Sequence, residues 1–299
     1  MAQQYKVKQR GKLLEFLFST LTDWSKKRVK QRLQGSSVRV NGIVTTKHDF
    51  MLNVDDVIEV GIVQHTSSAL QATVRLEIIY QDKDLIAINK PAGLLSVGTT
   101  QENKQHALAL LRTQLSRGNK ANKKSRNTNS VKLWPVHRLD RDTSGILLFA
   151  TSKEMREAVM DNWGKSEKVY LAMVEGKPKE NKETINEPLR LDDKEYRMHV
   201  GKHPDAKRAI THYRVKECKE KRSLLEISIE TGRQHQIRAH MDWLGHPIVN
   251  DERYGKKSSL KNTERMGLHS MRLSIIHPKT KKSLKFEIAA PKDFYTLLN

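Results

Sequence analysis

WPVHRLDRDTSGILLFA, residues 134–150, joins two unlike kinds of sequence. Its front half is densely polar, with His137, Arg138, Asp140, Arg141 and Asp142. After Thr143, Ser144 and Gly145, its back half is an unbroken apolar run over 146–150. A short apolar run bounded by turn residues predicts a buried strand, and polar side chains packed at a strand entrance suit an active-site loop on a rigid scaffold. Residue types alone leave a second reading open, in which an aspartate between two arginines is a structural ion-pair knot. A protein-kinase reading, prompted by His137-Arg138, fails because no glycine-rich loop precedes the segment and no Asp-Phe-Gly follows it.

Downstream, Leu225, Ile227 and Ile229 alternate with polar residues, so a half-buried strand runs into Thr231-Gly232. Ile237, Met241 and Leu244 then mark one face of a helix closed by Gly245, which places Arg233 at a strand-to-helix turn. His235 and His240 lie five apart, on different helix faces, with no cysteine or carboxylate to complete a set, so no metal is expected. Upstream, residues 76–80 and 85–89 flank Gln81-Asp82-Lys83-Asp84 and predict a hairpin. Residues 103–139 hold nine Lys and Arg and no acid, and 119–130 are nearly devoid of apolar side chains, which predicts a mobile basic loop.

The front of the chain has a different character. In GKLLEFLFSTLTDWSKKRVKQRLQGSSVRVNGIV, residues 11–44, Leu13, Leu14, Leu17 and Leu21 form a core-facing stripe. A second helix, capped by Asp23 or Ser25 and ending near Gly35, carries Lys26, Lys27, Arg28, Lys30 and Arg32 without an intervening acid, while Val29 and Leu33 face inward. Asn41-Gly42 between Val38-Arg39-Val40 and Ile43 predicts a tight hairpin. Residues 64–73 are polar and aperiodic and read as a linker.

These segments sit in a chain of 299 residues with 55 Lys and Arg against 34 Asp and Glu, a formal charge of +21. That surplus asks for a polyanion, and a basic helix without compensating acids reads as a phosphate-facing surface. No apolar run approaches the roughly 18 residues of a membrane span, and a single cysteine, Cys218, fits a reducing cytoplasm and excludes an intrachain disulfide.

Two resemblances sharpen the reading. The front block, VRVNG behind a basic helix, resembles the small alpha-L (S-four-like) RNA-binding domain. HRLDRDTSGILLFA closely resembles the signature of the RluA family of pseudouridine synthases. Further elements stand in that family's order: Asn89-Lys90-Pro91-Ala92-Gly93-Leu94, Lys168-Val169-Tyr170, Thr231-Gly232-Arg233-Gln234-His235-Gln236-Ile237-Arg238 and Gly267-Leu268-His269. The resemblance implies isomerisation of a uridine within RNA, without a cofactor. It implies Asp140 as the catalytic carboxylate, Arg233 as the arginine that holds it, and Tyr170 as the residue stacked on the base. It further implies Arg138 against the displaced nucleotide and Leu268 beneath the base, with His137 in an orienting or space-filling role.

The expected protein is therefore α+β. An RNA-binding domain occupies 1–63, a linker 64–73, and a catalytic domain 74–299 with a mostly antiparallel mixed sheet and a central cleft. It is expected to act as a cytoplasmic monomer on large-subunit ribosomal RNA, with transfer RNA second. The competing class is a non-catalytic RNA-binding or ribosome-assembly factor, which would bind RNA equally well without turnover. Eleven Lys and Arg in residues 1–60 give the first prediction. Deleting residues 1–63 weakens RNA binding and flattens the slope of log affinity against log salt, to which each lost phosphate contact contributes about 0.7 to 0.9. An unchanged slope in a filter-binding titration would refute the assignment of this segment to RNA.

Overall fold

A computed structural model describes residues 3–34, 38–45, 48–60, 75–98, 106–120, 131–192, 195, 197–255 and 265–298. The expected linker 64–73 lies outside the described residues. The chain divides into two compact units, Met1–Val74 and Arg75–Asn299.

In the first unit, strands β1 (Gln3–Lys6), β3 (Val38–Val40), β4 (Ile43–Val44) and β6 (Val57–Val60) form one antiparallel sheet in the order β1-β6-β3-β4, and β2 (Gly11–Lys12) pairs β5 (Met51–Leu52). Helices α1 (Leu13–Thr20) and α2 (Lys26–Gln34) bury Leu13, Leu17, Val29 and Leu33 with Val38, Val40 and Ile58. The expected hairpin forms: Val40 pairs Ile43, and Asn41 and Gly42 both take left-handed backbone, φ 51° and 79°. Those angles match the right-handed strand twist, which is why Asn-Gly serves there. On α2, Lys26 and Lys30 are exposed, and Lys26 lies over the Phe18 ring and Arg32 over that of Trp24. Lys27 and Arg28 belong to the same helix, with side chains outside the described set.

The second unit is built on one sheet of ten strands. Its main path runs β12 (Lys182–Ile185), β15 (Thr211–Cys218), β16 (Arg222–Ile229), β11 (Glu167–Glu175), β17 (Leu268–Ile276), β10 (Ser144–Ala150), β8 (Leu85–Lys90), β7 (Glu77–Gln81). Off this path, β18 (Ser283–Glu287) pairs β17 and β9 (Trp134–Pro135) pairs β10, while β13 (Leu189–Asp192) and β14 (Arg197–Val200) make a separate hairpin. Among the described strand pairings of the large sheet, β10 with β17 is parallel and the others are antiparallel.

Every residue of β10 is buried. Leu147 and Phe149 join a core with Leu108 and Leu111 of helix α3 (Ala107–Lys120) and Ile237 and Met241 of α5 (Gln236–Trp243). Ile146, Leu148 and Ala150 pack with Met155 and Val159 of α4 (Lys153–Met160). A short final helix, α6 (Lys292–Tyr295), buries Phe294 beside Leu171 and Met173 of β11. Helix α3 corrects the expectation of a mobile loop over 103–139. Ala107, Leu108 and Leu111 recur at helical spacing and bury an apolar stripe, and that burial outweighs the net charge of the segment. Residues 121–130 lie outside the described set.

The parallel pair requires Gly145. Its φ is 114°, and a Cβ there would sit 2.2 Å from the Ser270 carbonyl oxygen. Backbone so close leaves no room for a side chain, and the angle itself disfavours one. Gly145→Ala should therefore destabilise the larger unit by about 2 to 5 kcal/mol through strain and overpacking. Urea unfolding checks it, and a change below about 0.5 kcal/mol, the size of an ordinary surface substitution, would contradict this account of β10.

Candidate active site

Asp140 stands on the loop between β9 and β10, and its two sequence neighbours are both tied down. The Ser96 hydroxyl accepts from the Leu139 N–H at 2.9 Å and donates to the Leu139 carbonyl at 2.7 Å. On the other side the Lys90 ammonium, buried completely, donates to the carbonyls of Arg141 (2.9 Å), Leu94 (2.6 Å) and Pro91 (3.0 Å). Burial drives the Lys90 pKa down to about 7, against the pull of Asp142 and Asp140. Three carbonyl acceptors explain why a lysine tolerates that position. The backbone on either side of Asp140 is thus anchored before any substrate arrives.

The carboxylate of Asp140 is partly exposed and opens on a cleft of about 1440 Å³. Its Oδ2 accepts from Arg238 Nη1 at 2.9 Å and faces His235 Nε2 at 3.9 Å. Its Oδ1 has no polar partner among the described residues. Arg238, in the first turn of α5, directs the remainder of its fork at Asp251, with Nε to Oδ2 at 2.6 Å and Nη2 to Oδ1 at 2.8 Å. Asp251 is fully buried and also accepts the N–H groups of Arg253 and Tyr254. Burial alone would discharge both partners. The hydrogen bonds and charge of Asp251, with the charge of Asp140, instead hold the Arg238 guanidinium above its ordinary pKa. The Asp251 carboxyl, likewise opposed by burial, stays below its own because Arg238 donates to it. The Tyr254 ring lies 5.2 Å from the Arg238 guanidinium and 4.7 Å from that of Arg197.

The arginine expected at Asp140 was Arg233, and this is corrected. Arg233 precedes α5, is exposed, and donates from Nε to the Arg208 carbonyl at 3.0 Å. Both arginines belong to TGRQHQIR; the start of the helix at Gln236 decides between them, because residue 238 turns inward with the first helical turn while 233 stays on the preceding turn. Asp251, Lys90 and Tyr254 carried no expected role. Lys90 and Arg238 stood within quoted motifs, whereas nothing local in Asp251-Glu252-Arg253-Tyr254 announces a partner thirteen residues earlier.

Tyr170, on β11, is buried and lines the cleft. Burial, then the charge of Asp140, pushes its hydroxyl up to about 12, so it remains protonated at neutral pH. Arg138 is exposed on the cleft wall, free of polar partners among the described residues. His137 lines the same cleft, its ring 5.1 Å from that of Trp163, and burial together with the Lys168 charge lowers its pKa to about 4. The neutral ring accepts the Leu148 N–H at Nε2, which leaves the proton on Nδ1. Leu268 is buried in the core cluster that includes Tyr170, and the apolar side chains that line the cleft include Leu95, Val97, Leu139, Met160, Ile229 and Met266. His240 is buried and engaged by Thr211 and the Glu187 carbonyl. The basic residues of α2 belong to the other unit.

A fixed carboxylate with one oxygen unpartnered among the described residues, held by a charged guanidinium beside a protonated phenol, suits stabilisation or capture of a developing cation. Replacing Arg238 by Lys preserves charge and loses the fork. Such a protein should retain RNA affinity within about threefold and lose roughly 10²- to 10³-fold in turnover, the range for removing one preorganised donor. Single-turnover kinetics with saturating protein checks this, and a wild-type rate would remove Arg238 from the site.

Comparison with known proteins places the chain. A family model described as RNA pseudouridylate synthase matches residues 84–243. An RNA pseudouridine synthase of Mycoplasma genitalium is 33% identical over 96% of this chain and 92% of its own length. Ribosomal large subunit pseudouridine synthase D of Vibrio cholerae is 31% identical, covering 98% and 92%, and tRNA pseudouridine synthase C of Haemophilus ducreyi is 34% identical, covering 75% and 95%. The solved structure of human RNA pseudouridylate synthase domain containing 1 superposes with a TM-score of 0.59 at 25% identity, over 75% of this chain and 86% of that one.

Proposed function

The chain belongs to the RNA pseudouridylate synthase family, enzymes that isomerise uridine in RNA to pseudouridine, and we propose that this one acts on large-subunit ribosomal RNA through Asp140, Arg238 and Tyr170. The observation that carries the site is the Asp140 carboxylate, anchored through both neighbours, with Oδ2 on Arg238 and Oδ1 without a polar partner among the described residues. Near full-length similarity to a large-subunit enzyme supports the substrate. Transfer RNA is the second choice, because a transfer-RNA enzyme is similarly related over a shorter span. No helix among the described residues is long and apolar enough to cross a membrane. We take the protein to work as a monomer in the cytoplasm.

In this reading the target uridine leaves the stack, at a cost of a few kcal/mol when paired, and Arg138 fills the space it vacates. The glycosidic bond to nitrogen breaks while Asp140 Oδ1 meets the sugar or base electrophile. The uracil turns over Tyr170, rejoins the sugar through carbon 5, and gives up the hydrogen from that carbon. The front unit, with Lys26, Lys27, Arg28, Lys30 and Arg32 on one helix, supplies phosphate neutralisation, and RNA shape supplies the choice of site.

Asp140→Asn keeps the volume and removes the charge. Tritium release from RNA labelled at uridine carbon 5 should fall by about 10³-fold or more, with RNA affinity preserved. RNA from cells lacking the protein is the substrate. Release at the wild-type rate by the Asn variant would exclude Asp140, and no release by the wild-type protein from either ribosomal or transfer RNA would exclude the enzymatic reading.

A further inference from the structure

Arg233 is removed from the catalytic carboxylate, yet its surroundings are too well built for a solvated charge. The turn that carries it is locked by Gln236, a buried amide with every polar atom used. Its Oε1 accepts from the Arg233 N–H at 3.0 Å and from the Thr231 hydroxyl at 2.8 Å, and its Nε2 donates to the Ile210 carbonyl at 2.9 Å and the Thr211 hydroxyl at 3.0 Å. The side chain is fixed as well, since Nε donates to the Arg208 carbonyl. The carboxylate just past β16, Glu230, is committed elsewhere, to His212 at 3.1 Å and Arg208 at 3.5 Å. Both terminal nitrogens of Arg233, Nη1 and Nη2, are left without a polar partner among the described residues, on a side chain that lines the cleft.

A guanidinium held at Nε, with Nη1 and Nη2 presented side by side, has the geometry that grips two oxygens of one tetrahedral anion. Arg138 lacks such an anchor, so its position is not preset in the same way. The cleft is lined by more basic than acidic side chains, Arg138, Arg141, Arg156, Arg253 and Arg265 among them against Asp140, Asp142 and Glu252, a wall that draws in an RNA backbone. We propose that Arg233 is the receptor for a backbone phosphate flanking the target uridine, holding the strand while the base is turned into the cleft. This rests on the enzymatic reading above, and makes Arg233 a positioning residue outside the chemistry.

The test compares wild type with Arg233→Gln and Arg233→Lys on the shortest large-subunit ribosomal transcript that the wild-type protein modifies, labelled with tritium at uridine carbon 5. Arg233→Gln should raise KM by about tenfold or more, the worth of hydrogen bonds to a charged group, with kcat within about threefold. The slope of log affinity against log salt should shrink by about 0.7 to 0.9, one phosphate, and Lys should restore the slope while recovering only part of the KM. Replacing in turn each phosphate flanking the uridine by a neutral methylphosphonate should weaken wild-type binding at one position and leave Arg233→Gln no weaker there. A fall in kcat at unchanged KM, an unchanged salt slope, or additive losses at both positions would overturn the proposal. Wild-type protein that binds ribosomal RNA and modifies none of it would refute the enzymatic reading instead, and the salt slopes would still decide whether Arg233 meets a phosphate.

Discussion

One guanidinium serves two carboxylates of unequal exposure. Arg238 gives two N–H groups to Asp251, which is sealed from solvent, and one to Asp140, which is not. The asymmetry matters chemically. A bidentate grip on Asp140 would occupy both its oxygens and compete with the electrophile for which the carboxylate is kept. With the strong grip on Asp251, the arginine is oriented and charged without reference to substrate, and Asp140 keeps an oxygen for reaction. Removing either buried partner would strand an uncompensated charge, an effect of about 3 to 5 kcal/mol, so the pair organises the floor of the cleft whether or not RNA is present.

The remainder of the second unit brings Asp140 to that arginine. Gly145 lets β17 lie against the start of β10, the fully buried β10 locks into cores on both faces, and Lys90 and Ser96 carry the constraint to Arg141 and Leu139. The polar loop therefore hangs between a rigid strand and two side chains from a distant segment. At the neighbouring Ser144, the hydroxyl meets His269 Nδ1 at 2.7 Å and accepts a hydrogen bond from Arg265, so the entrance to β10 is tied to β17 through side chains as well as backbone. Preorganisation of this kind spares the reaction the reorientation of its own catalytic groups.

Local pattern was sufficient for much of this. The alternation at 225–229, the helical repeat at 237–244, the Asn41-Gly42 hairpin and the apolar run of β10 are each written in consecutive residues, because strands and helices express burial at periods of about 2 and 3.6. Asp140, Tyr170 and Arg138 were singled out through motif order, and all three side chains line the cleft. Helix α3 was misread because its charge obscured its leucine spacing.

The choice of Arg238 over Arg233, the bond from Asp251, the three carbonyls around Lys90 and the latch of Ser96 on Leu139 were decided by tertiary structure. Each joins residues from 13 to 98 positions apart, except the local bonds of Lys90 to Pro91 and Leu94. A period along the chain reports which face of an element is buried. Which of two arginines in one motif meets a carboxylate depends on where the helix begins and which strands lie side by side, and those are properties of the packed sheet.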